Sequence, residues 1–214
     1  MQDLSDVTLV SVTGVDVDAT HAAMLRCLDG ISFGQAVLIA PDAPNSADDR
    51  IEYRRTGAMD YHGYSRFILK DLVSHISTSH ALIVQADGFV LNPGRWNRDW
   101  LQFDYIGSPF PSSVRVGPYS IEMPNRVGNG GFSLRSRRLL EAVSPIRLET
   151  MRYPTKNEDM VICHLLYDYL VSKGMRFADI ETAADFAIDG VSLGRTLATT
   201  FGFHGKHHLA STTI

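Results

Sequence analysis

Three apolar runs constrain this chain more than any other feature: Val7 to Val12 (VTLVSV), Ala36 to Ala40 (AVLIA) and Ala81 to Val84 (ALIV). They are rich in branched residues and too continuous to leave one face in water. Strands of this kind belong to a sheet covered on both faces, as parallel sheets are. Between the first two runs, Ala19 to Leu28 reads as a helix, with Asp18 as its cap and Gly30 just beyond its end. Strand, helix, strand is the unit from which a parallel sheet is built. Pro41 stops the second run, and residues 41–49 (PDAPNSADD) read as loop. Ile51 to Arg54 reads as a short strand. Tyr64 to Ile76 reads as a helix, because Phe67, Leu69, Leu72, Val73 and Ile76 fall near helical spacing.

The second half is less regular. Asp104 to Gly107 is expected to be a short strand. Ser108 to Pro124 carries four prolines and reads as loop. Arg126 to Gly131 reads as a turn, Phe132 to Leu134 as extended, and Arg137 to Val143 as helical. Asn157 to Lys173 has the strongest helical pattern. Val161, Leu165 and Tyr169 form one row, Ile162, Leu166 and Leu170 the next, and Gly174 ends it. The expected architecture is α/β: one domain over residues 1–214, with a mostly parallel central sheet flanked by helices and a loop-rich second half.

Composition narrows the function. The chain has 214 residues, 44% of them hydrophobic, enough to bury a core without a disulfide or metal. Lys and Arg number 20 against 24 Asp and Glu, a formal charge of −4. That balance argues against disorder, and against a nucleic-acid binder, which needs a basic surface. No apolar run approaches the ~18 residues that suggest a membrane span. The opening MQDLSDVTLVSV lacks the basic start of a signal peptide. Cys27 and Cys163 lack metal-type spacing, so a thiol-reducing, cytoplasmic setting is expected.

Four segments have chemical potential. Gln85-Ala86-Asp87 follows the ALIV run, and on an extended chain Gln85 and Asp87 share a face. Open α/β sheets bind ligands beyond the carboxyl ends of their strands. A carboxylate there suits Mg²⁺ or Mn²⁺, and it equally suits a turn before Gly88. In Asn157-Glu158-Asp159, Asn157 can cap a helix and the acids suit its dipole; alternatively, one acid is a general base. In FGFHGKHH, His204 can be a metal ligand and Lys206 can meet a phosphate, or the segment is a partly basic tail. The glycines of GNGGFSLRS permit close backbone contact with a ligand, or form a plain turn. That segment lacks the GK[ST] ending of a phosphate-binding loop and is no dinucleotide fingerprint.

Taken in order, these segments resemble the nucleotide-sugar glycosyltransferases of GT-A fold. VGNGGFSLRS, followed by NEDM and FGFHG, resembles a glycosyltransferase-like family catalogued as a domain of unknown function. More remotely, the chain is similar to β-1,4-galactosyltransferases. The resemblance runs from about Val7 to His208. It implies a GT-A, Rossmann-like domain with a nucleotide-binding part over about 5–90 and an acceptor and catalytic part over about 91–214. It implies Mn²⁺ or Mg²⁺ held by Asp87 and His204. Asp87 matches the last acid of the family's D-x-D motif, and Gln85 replaces the first, leaving an amide to meet a ribose beside Ala86. Thr13, Gly14 and Val15 fall where base and ribose sit. Tyr64 and Arg66 match an aromatic-x-Arg pair that contacts the nucleotide, and Lys206 is placed to meet a phosphate. Gly130 and Gly131 match glycines on the sugar side. Asp159 matches the catalytic base and Glu158 an acceptor-binding acid.

The expected function is a metal-dependent hexosyl- or deoxyhexosyltransferase of glycan synthesis. It would move a sugar from a nucleotide-sugar donor, UDP-linked by preference, to a hydroxyl of a carbohydrate acceptor. The acid pair leans toward inversion. Two other readings stand beside it. Gln85 leaves open a non-catalytic nucleotide-sugar-binding module, and the late histidines leave open a metal-dependent hydrolase. Acceptor recognition is expected in Ser108 to Pro124, and the chain is compatible with being one domain of a longer enzyme.

Overall fold

The structure, a computed structural model, describes residues 1–212. The first apolar run extends into a long strand, β1 (Gln2–Val12). Helix α1 (Val17–Leu28) crosses to β2 (Ile31–Ala40), and β3 (Glu52–Arg55) follows the loop. Asp18 does not cap α1. Asp16 precedes the helix with a left-handed φ of 50°, and the Asp18 carboxylate accepts bonds from Asn45 instead. The acid therefore pins the 41–49 loop to the helix start. The expected helix over 64–76 begins earlier and breaks earlier. Helix α2 (Tyr61–Lys70) is capped by Asp60 and followed by a separate 3₁₀ turn, Leu72–His75. Strand β4 (His80–Ile83) is the third buried run.

Beyond β4, the short β5 (Tyr105–Ile106) is followed by a hairpin where loop was expected. β6 (Ser113–Val116) pairs with β7 (Tyr119–Glu122) around Gly117 and Pro118. Gly117 has φ 57°, a conformation that a tight hairpin turn needs and that glycine adopts without strain. The prolines obscured this hairpin because they flank its strands or sit in its turn. β8 (Ser133–Ser136) leads directly into α3 (Arg137–Val143).

The 157–173 helix is not continuous. A single turn, α4 (Glu158–Met160), passes into a π-helical segment, Val161–Leu165, and then α5 (Tyr167–Ser172). The Leu166 N–H donates to the Val161 carbonyl, five residues back. This extra residue shifts the helical rows, so Tyr169 is exposed rather than aligned with buried Val161. Asn157 makes no side-chain cap bond. Gly174, φ 79°, ends α5 as expected, with the Met175 N–H reaching back to the Leu170 carbonyl. α6 (Ile180–Phe186), β9 (Ala187–Ile188), β10 (Gly202–Phe203) and α7 (Lys206–Leu209) complete the chain.

The central sheet has six strands in the order β3-β2-β1-β4-β8-β5. β3, β2, β1 and β4 are parallel, and β8 runs antiparallel between β4 and β5. Alternate side chains of each inner strand enter opposite cores, which is why the runs are continuous. Leu9, Leu38 and Leu82 join the core with α1 and α6, whereas Val10, Val37 and Ile83 join the core with α2 and α3. A further core lies under the hairpin, around Ile121, Met123, Val161 and Leu170. Among the described residues, no helix is long and apolar enough to cross a membrane.

One buried carboxylate ties the antiparallel edge together. Asp104 accepts from Ser136 Oγ at 2.6 Å, from Arg138 at 2.7 Å and from the Arg176 N–H at 2.8 Å. Asp104→Ala should lower unfolding free energy by about 2–4 kcal/mol, because it strands several donors. The exposed Asp6–Arg98 pair provides the contrast: Arg98→Ala should change stability by no more than about 0.5 kcal/mol. Urea denaturation of both variants measures the difference.

Candidate active site

The carboxyl ends of β1 and β4 lie side by side, since the Val84 N–H donates to the Val10 carbonyl and Ser11 Oγ donates to the Val84 carbonyl. Thr13, Gly14 and Val15 leave one strand there, and Gln85, Ala86 and Asp87 leave the other. Gly14 packs against the Met59 backbone so closely that a Cβ would collide with it. Gln85 to Gly88 is a tight turn, closed by reciprocal backbone bonds of 2.9 and 3.0 Å, not an extended segment. Gln85 and Asp87 nevertheless converge on one group. His204 Nε2 lies 3.2 Å from Gln85 Oε1 and 3.7 Å from Asp87 Oδ1.

His204 comes from the far end of the chain. β10 pairs with β9, the His204 N–H donates to the Ile188 carbonyl, and the Gly205 N–H donates to the Asp87 carbonyl at 2.8 Å. The segment is thus seated against the Asp87 turn, not left as a loose tail. Phe203 fixes it further by packing edge-on against Phe89, 4.8 Å between centroids. The other ring nitrogen of His204 lies 3.0 Å from Asn129 Nδ2 and 3.8 Å from Asp189 Oδ2. Burial opposes a charge on His204, but Asp189 and Asp87 outweigh it and push its pKa up. The two carboxylates therefore favour a positive charge on the His204 ring.

The donor set fits a divalent cation in part. Two ligand atoms 3.7 Å apart can both reach one ion at about 2.1 Å. Among the described residues, no group of three or more His, Cys, Asp or Glu is arranged to hold a metal. An ion held by this pair would need phosphate oxygens or water for its remaining positions.

A glycine pair joins this cluster to a second one. A Cβ on Gly131 would lie 2.1 Å from His204 Nε2 and 2.7 Å from Gln85 Oε1. A Cβ on Gly130 would lie 1.7 Å from Glu158 Oε1. Neither position tolerates a side chain without moving these groups. The Gly130 N–H donates to Asp159 Oδ2 at 3.3 Å, and the Met160 N–H to Asp159 Oδ1 at 2.7 Å. Burial first, and the charge of adjacent Glu158 second, push the Asp159 carboxyl up to about 7.

Arg135, which the sequence reading did not single out, holds Glu158. Its guanidinium is fully buried, 2.8 Å from Glu158 Oε1, 3.1 Å from Ser133 Oγ and 5.1 Å from the Tyr105 ring centre. No local signal marks it, since its strand is the polar SLRS and two further arginines follow. Asp189 and Asn129 were also missed. Asp189 directly follows the β9 strand, a position open to the same reasoning as Asp87. Asn129 takes φ 58° and bonds Asp189, His204 and the Gly131 N–H together.

Other expected residues lie elsewhere. Tyr64 is in the cluster, accepting a bond from Gln85 Nε2 at 2.9 Å. Arg66 is two residues further along α2, so it projects from a different side of the helix. It is largely exposed, 4.0 Å from Asp71, and no contact joins it to Asp87 or His204 among the described residues. Lys206 opens α7 and is exposed. The hairpin expected to be loop forms one wall of a cleft of about 630 Å³. Tyr119 lines that wall, and Arg152, Tyr153 and His164 face it. Tyr153 Oη lies 3.3 Å from the Met160 carbonyl, beside Asp159.

Comparison with solved structures shows the fold. A glycosyltransferase involved in the glycosylation of the major capsid of PBCV-1 superposes with a TM-score of 0.51, at 13% identity over 96% of each chain. A mannosyltransferase from Pyrobaculum calidifontis, solved with GDP-Man and Mn²⁺, gives 0.47 at 12% identity over 81% of this chain and 54% of that one. A 2-C-methyl-D-erythritol 4-phosphate cytidylyltransferase from Thermus thermophilus gives 0.49 at 12% identity, over 96% of this chain and 95% of that one. The mainly parallel, helix-flanked sheet is thus of the GT-A, Rossmann-like kind. A search of curated proteins returns no match. Residues 51–204, from β3 through His204, match a family described as a protein of unknown function, and the chain belongs to that family, DUF5672.

Proposed function

We propose that the protein is a metal-dependent glycosyltransferase that moves a sugar from a nucleotide-sugar donor, UDP-linked by preference, to a hydroxyl of a carbohydrate acceptor. One observation carries this reading. Gly130 and Gly131 are adjacent, and they bring the Asp87–His204 pair and a carboxylate with raised pKa to opposite ends of one seam.

The donor's diphosphate would lie at Asp87 and His204, with Mn²⁺ or Mg²⁺ between. That ion would act as a Lewis acid on the leaving diphosphate. Thr13 to Val15 and Gln85, oriented by Tyr64, are placed for the nucleoside. Arg135 keeps Glu158 fixed beside Gly130, which leaves Asp159 to act on the acceptor. Asp159 takes the acceptor hydroxyl proton as the acceptor oxygen bonds to the anomeric carbon. The carbon–phosphate oxygen bond breaks, and its electron pair leaves with the nucleoside diphosphate. A carboxylate poised near neutral pH suits this task, and such bases contribute about 10²–10⁴-fold. Tyr119 and Tyr153 offer the cleft two rings against which a sugar can pack. A non-catalytic donor-binding module remains the second reading, favoured by Gln85 and by a cation site with only two protein donors.

Asp87→Ala should weaken UDP-sugar binding in Mn²⁺ by at least tenfold in calorimetry, and unchanged affinity rejects the metal role. Asp159→Asn should retain donor binding and lose turnover by about 10²-fold or more. A wild-type protein that binds donors yet neither transfers nor hydrolyses them, across a donor and acceptor panel, is the binding module.

A stability measurement addresses Asp159 separately. Its folded pKa is raised from 3.8 to about 7, so the folded chain holds a proton that the unfolded chain releases. The associated stability is full below about pH 4 and is lost as pH rises toward 7. Asp159→Asn should therefore melt above wild type at about pH 8, with the advantage gone by about pH 4. Thermal melts across that range read it directly.

A further inference from the structure

Between α2 and the loop that carries Lys156 lies a groove of about 190 Å³ that the proposed mechanism does not use. Its floor is apolar, formed by Leu69 of α2, Leu148, and Val161 of the π-helical segment. Its rim carries Arg66 and Lys70 on α2 and Lys156 on the facing loop, with His62 beside them. Glu149 is the one carboxylate on the lining. Its own backbone N–H, and then Lys70, Arg66 and Lys156, hold its pKa below the usual range. Three permanent cations thus act on one acid, in a chain whose net charge is −4.

These cations are not spent on one another's partners. Lys70 Nζ donates to the Ser144 and Ile146 carbonyls, which fix its position without neutralising it. Lys156 Nζ reaches the Leu148 and Met151 carbonyls only at 3.5 Å. Arg66 is 70% exposed, and its 4.0 Å contact with Asp71 leaves most of its donor fork open. An apolar floor under three basic groups, with Glu149 and Asp71 as the acids beside them, matches a phosphate ester bearing an apolar group better than a neutral sugar.

We propose that this groove binds a phosphate ester bearing an apolar group, with the apolar part of the ester against Leu69, Leu148 and Val161 and the phosphate among Arg66, Lys70 and Lys156. The binding and its test are independent of the glycosyltransferase reading.

Binding is tested by calorimetry with hexyl phosphate, hexanol and inorganic phosphate as probes. Hexyl phosphate should bind wild type at least tenfold more tightly than either of the others, and more weakly as salt rises. Lys156→Glu, and Lys156→Glu combined with Arg66→Glu, should each lose at least fivefold, whereas Leu148→Asp should lose the advantage of hexyl phosphate over inorganic phosphate. Circular dichroism melts of each variant confirm folding. Equal affinity for hexyl phosphate and hexanol overturns the proposal, and so does unchanged binding in folded Lys156→Glu protein. Mn²⁺-dependent UDP-sugar binding, measured on the same Lys156→Glu protein, should stay at the wild-type level. If wild type binds hexyl phosphate as stated but no nucleotide sugar, the glycosyltransferase reading fails and the groove stands.

Discussion

A guanidinium with no solvent exposure, paired with a carboxylate almost as deeply buried, underlies the arrangement of the whole site. Burying either ion alone would be prohibitive, and removing one partner of such a pair typically costs about 3–5 kcal/mol. Arg135 and Glu158 are therefore bound to each other's position. One belongs to β8 in the central sheet and the other to the single turn α4. Their bond fixes the helical segment that carries Asp159 against the strand that follows the glycines. Ser133 Oγ, the Gly130 carbonyl and the Tyr105 ring surround the rest of the guanidinium, so sheet, glycine turn and acid pair form one unit.

The same pair shapes the chemistry. Burial of the partly covered Asp159 carboxyl, and then the Glu158 charge beside it, make a second negative charge unfavourable and raise the Asp159 pKa. A lone aspartate at a helix start would instead be pulled down by the helix dipole. The two adjacent acids thereby differ: Glu158 is bonded to Arg135, and the Asp159 carboxyl is pushed up to about 7. The π-helical turn that follows adds one residue to the helix, with Val161 lining the cationic groove and His164 lining the larger cleft.

Much of the scaffold is readable from local composition. The inner strands appear as continuous apolar runs because each faces two cores, and the glycine run appears because His204 and Glu158 approach the backbone too closely for any Cβ. The helix over 157–173 misled for a physical reason. Its apolar rows suit an α-helix, yet Val161, Ile162 and Cys163 are consecutive and all buried, because the surrounding core encloses the segment on several sides. Tyr64 and Arg66 show the limit of motif reasoning. They are neighbours in sequence, but helical geometry turns one toward Gln85 and the other into the groove.

By itself, the sequence determined the class of fold and the strand ends at which ligand-binding groups would gather. Two-sided burial, turn chemistry and strand order leave their marks within a few residues of each other. Only the tertiary structure decided which of those groups meet. Asp87 faces His204 across 117 positions of chain, Arg135 finds Glu158, and Asp189 and Asn129 join a cluster that no spacing rule announced. Those pairings, and the raised pKa of Asp159, depend on burial and on charges brought close by packing, and neither exists until the distant elements are in place.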